Sequence, residues 1–319
     1  MRTAVVLGAG GYVGQAFHVG VLCALYDAVG FDARSADVVV GTSAGSLVAA
    51  AVAGGLSPHD LRAELTGEAL SLEGTALRAR HVALPVAPVT LPPAPSRRRP
   101  LAPTALAAAA RRPWAVRPAA VVSGLLPAGR MSTEPVARSV RGLYGDGWPD
   151  RDLRICAVRA RDSRRVVFGT AGAPATDVGT AVAASCAIPA YFTPVWIDGA
   201  AYVDGGVHSP SNADVVAADR PELVLIVSPM SFSRAGRRPP LDVAIRLAVR
   251  RYLAAEVARL RRGGCAVVVV QPGPEDLQAM GANPMRGSGV DRVIDSATTS
   301  VQRRLAAQPA LAERLAAHT

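Results

Sequence analysis

The chain has 319 residues, half of them hydrophobic and 19% charged. That balance excludes a disordered or fibrous protein and allows one sizeable α/β domain or two small ones. The net charge is +10, but all 35 basic residues are arginine; an arginine-only habit reflects codon bias as much as function, so no nucleic-acid partner is expected from it. In chain order, Thr3–Leu7 is a short apolar run ending in glycines and predicts a buried strand. Residues 14–29 carry Phe17, Val21, Leu22 and Leu25 at helical spacing, with Gly30 as a stop. A second buried strand is predicted at 37–40, followed by Gly-Thr-Ser-Ala-Gly and a helix over 47–53. Strands are predicted again at 153–160, Arg164–Phe168, Leu223–Val227 and Ala266–Val270, with a helix at 177–187. Between the last two strands, Ile245, Val249, Leu253, Val257 and Leu260 form one apolar helical face, with Arg246, Arg250, Arg259 and Arg261 off it. A last helix is predicted over Val290–Ala307, with Val290, Val293, Ile294, Val301 and Leu305 inward.

Strand and helix alternating at this tempo predict a three-layer α/β/α domain around a mostly parallel sheet. Residues 75–130 stand apart, with ten of the 25 prolines and nine arginines unbalanced by a single Asp or Glu. Proline removes donors and fixes φ, so this stretch reads as an insertion, a lid or flexible segment within one domain. The four cysteines are far apart, with no CxxC pair or Cys/His cluster, which predicts reduced core residues and no metal site. No run reaches the ~18 apolar residues that span a bilayer, and the start lacks the long apolar region of a signal peptide. The expected compartment is the cytoplasm.

Three motifs carry chemistry. In Gly41-Thr42-Ser43-Ala44-Gly45, a sharp strand-to-helix turn would project the Ser43 hydroxyl above the sheet, and the flanking glycines would avoid a clash. The following helix would aim its free N–H groups at an anion. The cluster Gly8-Ala9-Gly10-Gly11-Tyr12-Val13-Gly14 admits two readings: a dinucleotide loop, or backbone donors for an oxyanion. Against the dinucleotide, the second strand leads into the serine motif rather than an acidic residue, and the chain has no lysine for short-chain dehydrogenase chemistry. The third motif, Tyr202-Val203-Asp204-Gly205-Gly206, places an aspartate at a strand end, where it can serve as a base.

These three segments in this order resemble the patatin-like phospholipase family. The resemblance lies in VLGAGGYVGQAFHVGVLCAL, VVVGTSAGSLVAA and ASCAIPAYFTPVWIDGAAYVDGGVHSPSNAD. It implies a Ser43/Asp204 dyad without a catalytic histidine, an oxyanion loop at Gly10 and Gly11, lipid or other acyl-ester substrates, and no cofactor. Ala9 stands where the family usually has a glycine, and Val13 where it often has Arg or Lys, a change that would weaken anion stabilisation. Of the five histidines, only His208 lies close to Asp204 in sequence. Two other functions stay open: an NAD(P)-binding oxidoreductase, and a weakly active membrane-surface binding protein. The apolar residues among the arginines of 75–130 suit peripheral contact with anionic membrane.

Overall fold

The computed structural model describes residues 2–80, 126–234 and 239–318. Its centre is an eight-stranded sheet of β1 (Thr3–Leu7), β2 (Val38–Thr42), β3 (Asp152–Arg159), β4 (Arg164–Phe168), β5 (Val195–Ile197), β6 (Ala200–Asp204), β7 (Leu223–Val227) and β8 (Ala266–Val270). Strands β3, β2, β1, β7 and β8 lie in that order and run parallel. Antiparallel pairs β3–β4, β3–β6 and β5–β6 complete the sheet at the β3 end. Every residue of β1, β2 and β7 is buried, which is why these strands read as continuous rather than alternating apolar runs.

Ten helices are described: α1 (Gly11–Val29), α2 (Ala44–Ala53), α3 (Pro58–Thr66), α4 (Leu72–Ala79), α5 (Glu134–Tyr144), α6 (Val178–Ser185), α7 (Pro240–Arg262), α8 (Pro274–Met280), α9 (Val290–Ala307) and α10 (Pro309–Ala316). Alternate residues of β1 enter two cores. Val5 and Leu7 join Phe17, Val48, Val140, Val182 and Ile294 on one face of the sheet. Ala4 and Val6 join Leu253, Val257 and Leu260 of α7 on the other. The three-layer arrangement is therefore present. The four cysteines are buried and form no disulfide, and none of the described helices is long and apolar enough to cross a membrane.

Some boundaries move. Helix α1 starts at Gly11 rather than residue 14, because the Gly14 amide bonds the Gly10 carbonyl and closes a turn through the glycine cluster. The apolar face expected on α7 is corrected at its start. Ile245 is 47% exposed, whereas Arg246 is buried and donates to the carbonyls of Pro229 and Ser231. The turn after β7 leaves those carbonyls to be satisfied inside the protein, and a guanidinium can reach both. Of residues 75–130, 75–79 end α4, and 126–130 lead to a bridge between Met131 and Phe192. The remainder of the expected insertion lies outside the described residues.

One register decides where the site forms. Thr42 at the end of β2 pairs with Cys156 of β3, and Asp204 at the end of β6 pairs with the next residue, Ala157. Strand β4 occupies the other edge of β3 over these positions, so β6 continues the line of β2. The two strands meet end to end, and their last residues become neighbours.

Candidate active site

Ser43 occupies the single position between β2 and α2, with φ 53° and ψ −125°. A non-glycine residue tolerates such a conformation only where its surroundings impose it. Here the backbones around it are in contact. A Cβ at Gly41 would lie 2.4 Å from Ser46 Cα, and one at Gly45 would lie 2.0 Å from the Leu7 carbonyl oxygen. The turn is therefore open only to glycine at both flanks, as the motif requires. The Ser43 amide donates to Ser185 Oγ at 2.9 Å, and Ser185 in turn donates to the Cys156 carbonyl at 2.6 Å. Ser46 Oγ donates to the Ser43 carbonyl at 2.6 Å.

Asp204 is buried at the end of β6. Burial pushes its carboxyl up to about 6; the Ser43 hydroxyl and the Gly206 amide, 2.7 Å from Oδ1, oppose that shift. The structure thus brings Ser43 and Asp204 together. Gly205 packs on the Cys156 carbonyl, where a Cβ would come within 2.2 Å.

The glycine cluster links β1 to α1. The Gly8 amide bonds the Val227 carbonyl at 3.0 Å, and the Ala9 amide bonds the Pro210 carbonyl at 2.7 Å. Gly11 has φ 63° and lies against the Pro284 carbonyl. The amides of Gly10, Gly11 and Tyr12 have no partner among the described residues, as the first N–H groups of a helix do not. Gly11, Tyr12 and Ser43 line one open cleft, with Ile188, Phe192 and Met285 on its walls. Ala9 sits beside Gly206, and Val13 is buried, so no cation stands at either position. The end of β2, where a dinucleotide fold carries its ribose-binding carboxylate, holds Thr42 and Ser43.

Four supporting residues were not singled out by sequence. Ser185 lies inside one of the motif segments but carries no sequence signal of its own. His18 Nε2 lies 2.7 Å from the Gly8 carbonyl; burial pushes its pKa down to about 4, so the neutral ring donates and steadies the glycine loop. Asn212, in the left-handed region at φ 51°, donates to Thr42 Oγ1 at 3.1 Å and to the Gly205 and Ser209 carbonyls. Glu256 of α7 accepts from Ser209 Oγ, Ser211 Oγ and the Ala213 amide, at 2.6, 2.6 and 3.0 Å. Its helical position on the same inward stripe as Leu253 and Leu260 was the available signal. His208 lies near enough to Asp214 for its charge to favour the ionised form of that carboxyl. Among the described residues, no three metal-ligating side chains converge.

A serine at a strand–helix elbow, beside a buried carboxylate and free helix-terminal amides, is the framework of ester hydrolases built on α/β sheets. The chain belongs to the patatin-like phospholipase family, whose profile matches residues 5–217. That family is one of lipid acyl hydrolases. No functionally curated protein matches the chain in sequence. Among solved structures it is similar to VipD from Legionella pneumophila, at 13% identity and a TM-score of 0.42, covering 96% of this chain and 67% of that one. It is also similar to the type III effector protein ExoU, at 19% identity and a TM-score of 0.39, covering 96% of this chain and 53% of ExoU. The chain thus spans about half of ExoU's length.

Proposed function

We propose that the chain is a serine acyl-ester hydrolase of phospholipase A type, working through a Ser43/Asp204 dyad. The observation that carries this reading is the strained Ser43 elbow set against a buried carboxylate with a pKa of about 6. A base is most useful when its pKa lies near the working pH. Asp204 takes the Ser43 hydroxyl proton as Oγ attacks the ester carbonyl carbon. The carbonyl oxygen becomes an oxyanion and accepts from the amides of Gly10 and Gly11. As the intermediate collapses, the leaving alcohol takes the proton from Asp204, and the acyl group stays on Ser43. Water then attacks the acyl-serine, giving its proton to Asp204, which returns it to Oγ as the fatty acid leaves. No metal or cofactor enters these steps.

Lipid esters are the preferred substrates on this reading, since the cleft beside Ser43 is walled by apolar side chains. Peripheral contact with anionic membrane belongs to the same reading. The deciding experiment is labelling with a fluorophosphonate and mapping the modified residue. Ser43 should be the one serine labelled rapidly, and Ser43→Ala should abolish labelling and ester hydrolysis together. Labelling that persists in the variant, or maps elsewhere, removes Ser43 as nucleophile.

A further inference from the structure

The amides of Gly10, Gly11 and Tyr12 can serve an oxyanion only if the loop that carries them keeps one orientation. That loop is held on both sides. Upstream, the Gly8 amide bonds the Val227 carbonyl and the Ala9 amide bonds the Pro210 carbonyl. Downstream, the Val13 amide bonds the Pro284 carbonyl at 3.3 Å, and the Gly14 amide bonds the Gly10 carbonyl at 3.0 Å. These bonds join backbone groups, which side-chain substitution leaves in place. One further bond comes from a side chain, since His18 Nε2 lies 2.7 Å from the Gly8 carbonyl. His18 and Pro210 thus pin the two polar ends of the Gly8–Ala9 peptide, and the next peptide carries the Gly10 amide.

A carbonyl only accepts, so Nε2 carries the ring proton and Nδ1 is left as an acceptor. Nδ1 is buried and has no partner among the described residues. The whole side chain is buried, and burial keeps the ring neutral. His18 therefore satisfies one buried acceptor while leaving another unsatisfied. These effects on stability are comparable and opposite in sign, so the bond adds little net stability and mainly adds orientation. Gly10 and Gly11 have no side chains to anchor them, and the buried Val13 supplies no cation to make up for a misplaced amide. We propose that His18 is a positioning residue of the oxyanion hole, whose hold on the Gly8 carbonyl fixes where the Gly10 and Gly11 amides point and thereby sets kcat. The proposal rests on the hydrolase reading and adds the side chain that aligns its donors.

The test compares His18→Leu, which is of similar size and lacks the donor, with His18→Gln. The glutamine amide nitrogen stands as many bonds from Cα as Nε2 does and can donate to the same carbonyl. On a short-chain ester, His18→Leu should lower kcat at least ~10-fold, because a displacement of about 1 Å in a catalytic group can cost ~10²-fold. Its KM should stay within about twofold of wild type, since the donors act on the transition state. Its melting temperature should stay within about 3 °C. A trifluoromethyl ketone, which Ser43 converts to a hemiketal oxyanion, should lose affinity in step with kcat. His18→Gln should recover most of both losses. Wild-type turnover in folded His18→Leu overturns the proposal, and so does a glutamine variant as slow as the leucine one. A leucine variant that does not fold overturns it too, because the bond would then hold the fold rather than the hole. If the wild-type protein neither hydrolyses esters nor labels at Ser43, the hydrolase reading is what fails, and this proposal falls with it.

Discussion

A carboxylate kept from water at the end of β6 is poor at holding charge, and this links the chemistry of Asp204 to its stability. Its ordinary value is 3.8 and its folded value about 6, so the folded chain binds the proton more tightly than the unfolded one. The stability from this group is fully present below pH 4 and is lost as pH rises through about 6. Asp204→Asn removes the ionisation while keeping an oxygen for the Gly206 amide. Above pH 7 the variant should therefore be more stable than wild type, by on the order of 2–3 kcal/mol at most. The gap should close towards pH 4. Thermal melts at pH 4 and pH 8 check this, and a variant less stable at both would show that the charge is not penalised. On a short-chain ester, the same substitution should lower turnover at least ~10²-fold. Wild-type kcat/KM should fall as pH drops below about 6, as the base becomes protonated. His208→Ala should change turnover only a few-fold, because the dyad steps pass every proton through Asp204.

At the scale of elements, the loop after β6 does most to hold the site together. Glu256 reaches it from α7, Asn212 ties it to Thr42, and the Pro210 carbonyl takes the Ala9 amide of the glycine loop. Glu256→Ala leaves two buried hydroxyls and one amide without their acceptor, so it should cost at least ~2 kcal/mol in urea unfolding. Turnover should fall as well, since the loop carries Gly205 and Gly206 against Asp204. An unchanged urea midpoint would mean that water replaces the carboxylate. None of this was legible in the sequence, for a definite reason. Glu256 lies 47 residues from Ser209, and Asn212 lies 170 from Thr42. Such partners are set by strand register and by which helix face turns inward. The strands at Thr3–Leu7, Leu223–Val227 and Ala266–Val270 were legible because burial on both faces leaves an unbroken apolar run. The elbow at Gly41–Gly45 was legible because its constraint is steric and local. The inward turn of Arg246 was not legible because a charged residue on a helix ordinarily faces water, and here two backbone carbonyls from a distant turn hold it inside.

For the whole molecule, the +10 charge is concentrated in residues 75–130, with nine arginines and no acid. Near an anionic bilayer each engaged arginine contributes ~1 kcal/mol, and salt screens the attraction. The intact chain should sediment with anionic vesicles at low salt and much less at high salt. Replacing residues 81–125 by a short Gly/Ser linker should remove most of that binding. Equal binding of both proteins to neutral and anionic vesicles would leave the segment without a docking role.

The end-to-end meeting of β2 and β6 on β3 has a consequence for how the molecule could be divided. Ser43 and its glycine loop lie in residues 2–80, whereas Asp204, Ser185, Glu256 and all of β3 lie after residue 126. A cut between these parts separates nucleophile from base but leaves intact, in the second fragment, the strand edge that aligns them. Cys156 and Ala157 then act as a template on which the first fragment can re-anneal, guided by β2 pairing and by the burial of α1 and α2. Two inert halves expressed in one cell should recombine into a protein that a fluorophosphonate labels at Ser43. Labelling would then report complementation, and the dyad would serve as its own assay for the assembly of the sheet.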